Sequence, residues 1–331
     1  MAISAKDVMK LRQMTAAGMM DCKKALEEAD GDFEKAKEII REKGKLVAAK
    51  RSDRETSEGA VKARIAGNKG ILVCLGCETD FVSRNSDFQN LADAVADAAI
   101  ANAPADAEAL KACKLADGRT VEAAITEQTG KTGEKHVLAY YALVEAPYIV
   151  SYIHTLNGKL GSLVGFNKPV SEALGKGVAM QVASMNPVAI SKESCPASVV
   201  ETELKVAIEK TKEEMVQKAV DAALKKVGIN PAHVDSDDHI ASNTEKGWIT
   251  AEQGELAKQI KQQVAEEKAA SLPAEMIQNI AKGMMSKFFK ENCLLEQAYI
   301  DDNKISVAQY LQNADKELTV TDFKRYTLRA E

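Results

Sequence analysis

No stretch of this chain stays apolar for the roughly twenty residues that a membrane span requires. Its opening, MAISAKDVMKLRQ, also lacks the apolar core of a secretory leader. A cytoplasmic protein with no membrane partner is expected. Charge of one sign is missing too: 44 basic residues stand against 49 acidic, a net of -5, so no global field draws the chain to a polyanion. Direct nucleic-acid binding is therefore not expected. The six cysteines (Cys22, Cys74, Cys77, Cys113, Cys195, Cys293) follow no framework spacing, which suits free thiols in a reducing compartment, and no structural disulfide is expected. GxxxxGK[ST], GxGxxG after a strand, GxSxG and HExxH are all absent. Nothing here announces an enzyme or calls for a cofactor.

What is present is ample apolar material, 45% of 331 residues, enough for two or three domains. Residues 1 to about 44 read as three short helices. Ser4 and Asp7 form a capping start and Val8 and Leu11 an apolar face; Cys22, Leu26 and Ala29, then Phe33, Ala36 and Ile40, recur at helical spacing. The run REKGKLVAAKRSDRE, 41–55, carries six Lys or Arg and reads as a hinge or helical linker.

From Ala60 the period changes to two. Val61, Ala63 and Ile65 alternate with Lys62 and Arg64, a turn falls at Gly67 and Asn68, and Ile71 to Leu75 returns as a buried strand. An amphipathic helix follows, capped by Asn85 or Ser86, with Phe88, Leu91, Val95 and Ala99 on one face. Helical segments near 105–114 and 119–129 lead to the strand KHVLAYYALVE. The theme then repeats: YIVSYIHTLNGKLGSLVGF is a second hairpin with an Asn-Gly turn, and SEALGKGVAMQVASM a second helix. Gly161 before SLVGF parallels Gly70 before ILVCL, and TVTDFKRYTLRA supplies a third strand for the second copy.

The expected class is thus α+β, with a core of two related antiparallel subdomains, each a small sheet with helices on one face. Between the second copy and its last strand, two long helices, Ala197 to about Val227 and Ala251 to about Phe289, are expected to pair as a projecting coiled-coil excursion. Leu204, Ile208, Met215, Ala219 and Ala222 would form its seam, and residues 228–250 an irregular tip. The domains read as 1–54, 55–145, 146–195 with 290–331, and 196–289.

Three features could carry chemistry. CLGC, 74–77, is a CxxC, but strand positions three apart point to opposite faces, so buried structural cysteines are expected. HVDSDDH, 233–239, mixes two imidazoles with three carboxylates; a polar tip loop would look the same, and no metal is expected. In CETDFVSRN, the crossing from a buried strand to the next helix needs no aromatic, yet Phe81 and Val82 sit there. Phe81 either folds back as a lid on the helix or is a wedge for a partner, and the residues alone favour the lid. Met19 and Met20 raise the same question, since only one of two adjacent residues can face a three-helix core.

The runs LRQMTAAGMMDCKKALEEADGDFEKA, TDFVSRNSDF, GVAMQVASMNPVAI and GMMSKFFKENCLLEQAYIDDNKISVAQYL, in this order, closely resemble bacterial translation elongation factor Ts, the guanine-nucleotide exchange factors of elongation factor Tu. The resemblance implies a first module similar to ubiquitin-associated domains, a core of two related subdomains and a coiled-coil excursion. It implies a partner, elongation factor Tu, bound in its GDP and nucleotide-free forms, and leaves room for a homodimer through the excursion. Thr79, Asp80, Phe81 and Val82 would enter the GTPase beside its magnesium site, with Phe81 wedged between partner helices. Met19, Met20 and Arg12 would contact the same G domain, and His154 would lie near a second contact. Two departures stand out. Many family members continue past the last strand into a C-terminal helical module, and the excursion is longer here around residues 228–250.

Overall fold

Three helices open the chain: α1 (Ala5–Thr15), α2 (Met19–Glu28) and α3 (Phe33–Lys50). Val8, Leu11, Cys22, Ala25, Leu26 and Ala36 meet in a core of their own. Ser4 Oγ accepts the Asp7 amide at 3.2 Å, and Asp32 caps α3 by accepting from the Glu34 and Lys35 amides at 2.8 and 3.1 Å. The basic run expected as a hinge or helical linker is helical as far as Lys50. The computed structural model describes residues 3–15, 17–155 and 158–328.

Next come β1 (Glu58–Ala66), β2 (Lys69–Cys77), α4 (Asp80–Ser83), α5 (Ser86–Asn102), α6 (Ala107–Ala112), α7 (Val121–Thr132) and β3 (His136–Glu145). The hairpin turns at Gly67 with φ +59°, a left-handed value that a side chain resists. The sheet order is β1-β2-β3, antiparallel throughout. Ile71, Val73, Leu75 and Cys77 of β2 pack on Phe88, Leu91, Val95 and Ala99 of α5 and Val121 and Ala124 of α7. Where α3 meets α7, Gly44 and Gly130 let the backbones touch: a Cβ on Gly130 would stand 2.9 Å from the Gly44 Cα.

The second copy begins with β4 (Tyr148–Ile153), β5 (Leu160–Phe166) and α8 (Glu172–Met185). The Asn157 of its expected Asn-Gly turn lies outside the described residues. Ser162 on β5 donates to the Ala179 carbonyl of α8 at 2.6 Å, which fixes the helix side of that strand.

Residues 191–297 form a compact unit of their own, apart from the unit of Met1–Ile190 with Ala298–Glu331. It holds α9 (Ala197–Lys226), a 3-10 turn at Pro231–His233, α10 (Asp237–Glu245), α11 (Ala251–Ala270) and α12 (Ala274–Asn292). The return along α9 is therefore two helices, where one was expected. Pro273 has no amide hydrogen and clashes with a preceding turn, so α11 stops at Ala270 and α12 starts after the proline. Along α9 the fully buried positions are Ala207, Thr211, Val220 and Leu224, while Ala222, expected on the seam, is exposed. The tip expected to be irregular has its own core, in which Ile229, Val234, Ile240 and Ile249 pack on Val220, Leu224 and Ala257.

The chain then adds β6 (Ala298–Tyr299), β7 (Asp302–Ser306), α13 (Val307–Ala314) and β8 (Val320–Thr327), and β8 completes a sheet ordered β4-β5-β8. The two three-stranded sheets pack face to face: Val61, Leu72, Cys74 and Val144 of one meet Ile149 and Leu163 of the other. Tyr140 and Tyr326 stack across the seam with centroids 4.5 Å apart. The paired glycines sit at equivalent places on this seam. A Cβ on Gly70 would lie 2.9 Å from Ile149, and one on Gly161 would lie 2.8 Å from Val61. Helices cover the outer faces, α5 and α7 on one side and α8 on the other.

Candidate functional site

The turn that follows β2 is a single helical turn held at both ends. Thr79 is its N-cap, with Oγ1 accepting the Val82 amide at 3.4 Å. The Thr79 hydroxyl donates to Glu134 Oε1 at 2.7 Å, and its amide to Glu134 Oε2 at 3.1 Å. At the other end the Gln89 side-chain amide donates from Nε2 to the Ser83 carbonyl at 2.6 Å, and Asn85 caps α5. Val82 packs against the core beneath. Asp80, in the first turn of α4, pairs with Arg84 at 3.3 Å.

Phe81 stands on this fixed platform with 85% of its surface exposed, the most of any large apolar side chain among the described residues. It does not fold back as a lid. The helix face a lid would have covered is already closed by Val82 and the β2 side chains. An exposed phenyl on a rigid turn is apolar area left in water, about 1.5 to 3 kcal/mol that only a partner can recover.

The other predicted residues lie on separate elements. Met19 and Met20 start α2 and are 53% and 64% exposed, so neither faces the three-helix core. Cys22, Ala25 and Leu26 already occupy the inner face of α2. Arg12 is exposed in the last turn of α1. His154 follows β4, half-buried, with Nδ1 2.9 Å from the Tyr152 hydroxyl.

The rival chemistries fail on geometry. Cys74 faces the seam between the sheets and Cys77 the helix layer, so the CxxC sulfurs diverge. Burial pushes the Cys74 thiol well up, and burial together with the nearby Glu134 and Glu58 carboxylates pushes Cys77 up to about 12. Thiol exchange near neutral pH needs a thiolate that neither supplies. In HVDSDDH, Asp235 and His239 pair with each other, which holds the Asp235 carboxyl below the usual range. Among the described residues no group of three or more such side chains could hold a metal ion.

Sequence reasoning missed Glu134, Glu78, Arg51 and Lys135, the polar frame around the turn. Glu78 accepts the Lys135 amide at 2.6 Å and the Arg51 guanidinium at 3.2 Å. The partners are 55 or more positions apart for the Thr79 and Lys135 contacts, so no local pattern marks them. The available signal was the register: once Cys77 is set opposite His136, residues 78 and 79 fall opposite 135 and 134.

Comparison with known proteins gives one answer. A family model described as Elongation factor TS matches residues 78–330, which takes in the turn, β3 and the whole of the second sheet. The elongation factor Ts of Bacteroides fragilis is 54% identical over 331 residues, covering the whole of both chains. That of Phocaeicola vulgatus is 53% identical and that of Porphyromonas gingivalis 38%, again over the whole of both chains. Each alignment takes in the entire helical excursion. With a family model across most of its length and relatives of this identity from end to end, the chain belongs to the elongation factor Ts family.

Proposed function

We propose that this protein binds the GDP form of elongation factor Tu, displaces its Mg2+ and promotes GDP release so that GTP can rebind. The observation that carries the reading, beyond family membership, is Phe81: a phenyl 85% exposed on a turn anchored at both ends. Thr79, Asp80, Phe81 and Val82 enter the GTPase beside its metal site, and the phenyl wedges between partner helices. The first module, similar to ubiquitin-associated domains, adds contacts through Met19, Met20 and Arg12, and the second sheet adds one through His154. The exposed Met276 and Ile280 of α12 support a homodimer through the excursion, which sedimentation of the purified protein tests.

Such a factor needs no covalent chemistry and no cofactor of its own. By linkage, a protein that weakens nucleotide binding by some ratio is itself weakened by nucleotide in the same ratio. A GTPase holds its nucleotide through phosphate-loop amides and a bridging magnesium ion. A wedge that moves the helix shaping that metal site leaves phosphate charge less compensated. Burying one phenyl is worth roughly ten- to a hundredfold in an equilibrium. The remainder of the work falls to the distributed contacts, which hold the distorted, nucleotide-free partner.

Stopped-flow release of fluorescent GDP from elongation factor Tu is the test. Phe81→Ala is expected to slow release far more than it weakens complex formation, by roughly ten- to a hundredfold. An unchanged release rate sinks the wedge.

A further inference from the structure

The Cys77–His136 pair is the last rung between β2 and β3. Beyond it the chains part, one into the Phe81 turn and the other back toward α7, and their amides need acceptors outside the ladder. Two carboxylates provide them in opposite directions. Glu134 accepts the Thr79 amide at 3.1 Å and the Thr79 hydroxyl at 2.7 Å, while Glu78 accepts the Lys135 amide at 2.6 Å. Each turn thus supplies the acceptor for the other. The segment after α3 is tied to the same frame: Arg51 donates to Glu78 at 3.2 Å, and Lys135 Nζ donates to the Ser52 and Arg54 carbonyls at 2.7 and 2.8 Å.

We infer that Glu134 is a positioning residue for nucleotide exchange, holding the Phe81 turn in the attitude in which its phenyl meets the partner. The inference rests on the exchange reading above. A four-residue helix has no stability of its own, because helix nucleation is unfavourable and one turn is all nucleus. Its orientation is set by what fixes it from outside. One anchor is at the far end of the turn, where Val82 enters the core and the Gln89 side-chain amide holds the Ser83 carbonyl, and an anchor at one end alone leaves the turn free to pivot. Glu134 is the second, and both of its hydrogen bonds go to the cap residue, two positions before the phenyl. Without it the turn has to be ordered at the moment of wedging, so the loss falls on the exchange step and not on the encounter.

The experiment measures release of fluorescent GDP from elongation factor Tu for Glu134→Ala and Glu134→Gln, each in the native and the Phe81→Ala background. Glu134→Ala is expected to lower the maximal rate about tenfold, the worth of hydrogen bonds to a charged acceptor, and to leave the half-saturating concentration nearly unchanged. Glu134→Gln should recover most of the rate, because its carbonyl accepts the Thr79 amide and its amide donates to the Thr79 hydroxyl. In the Phe81→Ala background neither substitution should lower the rate further, since the phenyl through which Glu134 acts is gone. Equal losses in both backgrounds, or no loss in a folded Glu134→Ala protein, overturn the inference. If the alanine variant does not fold, the glutamine variant decides in the same way: its smaller loss must vanish when Phe81 is gone. A Phe81→Ala protein with an unchanged rate overturns the wedge itself, so the two failures are told apart.

Discussion

A side chain that stabilises nothing in its own fold and yet stays apolar is the signature of Phe81. Its phenyl is 85% exposed, so Phe81→Ala should leave the urea midpoint within the range of surface substitutions, about 0.5 kcal/mol, while it slows exchange. His136, beneath the same turn, is the opposite case. It is buried against Phe88, its Nδ1 lies 2.9 Å from the Glu134 carbonyl, and its Nε2 has no partner among the described residues. Burial pushes the imidazole below its ordinary value of 6.5. The unfolded chain therefore binds a proton more readily than the folded one below that pH. This contribution to stability is fully present above 6.5 and is lost as pH falls through it toward the folded value. Urea midpoints at pH 7 and pH 5 should show a smaller drop in His136→Phe than in the native protein.

Helices and strands that bury a regular stripe were legible in the sequence. The α5 face of Phe88, Leu91, Val95 and Ala99, the Gly67–Asn68 hairpin and the repeated sheet all emerged from period and turn chemistry. Elements decided by a distant neighbour were not. Nothing near residue 44 says where α3 docks, because the partner position is Gly130 on another helix. Nothing in the tip's polar composition announces the cluster of Val234, Ile240 and Ile249, because three apolar residues so far apart make no periodic pattern. Pro273, by contrast, is a break that the sequence itself displays. For the site, Phe81 stood out as a surplus aromatic, whereas Glu134 looked like any helix-end carboxylate. The α3–α7 contact carries a prediction at this scale. Gly130→Ala puts a methyl 2.9 Å from the Gly44 backbone, which cannot rotate away as a side chain can. A loss of about 1 to 3 kcal/mol is expected. Limited proteolysis should find earlier cleavage between residues 51 and 57 in that variant than in the native chain.

Across the whole molecule, buried apolar material is divided unequally. The unit of Met1–Ile190 with Ala298–Glu331 holds the two-sided sheet seam and the large α5 core. Residues 191–297 rest on helix pairing and one modest cluster at the tip. Regions with few buried apolar contacts open at lower free energy. Hydrogen exchange on the native protein should therefore show the amides of α9, α11 and α12 exchanging before those of β2 and β5. Protection equal to that of β2 throughout α9 would contradict this division.

Gly70 and Gly161 bear on how such a chain could be rebuilt. Much of the room at each glycine is defined by branched side chains belonging to the opposite sheet: Ile149 and Leu163 for Gly70, and Val61 and Leu72, beside Ile153 of its own sheet, for Gly161. The two halves resemble each other, but they are not exchangeable cassettes. A chimera that takes its first sheet from one relative and its second from another inherits a mould from one parent and a casting from the other. Its success turns on the four opposing side chains and the two bare positions they close over, whatever the identity of the rest.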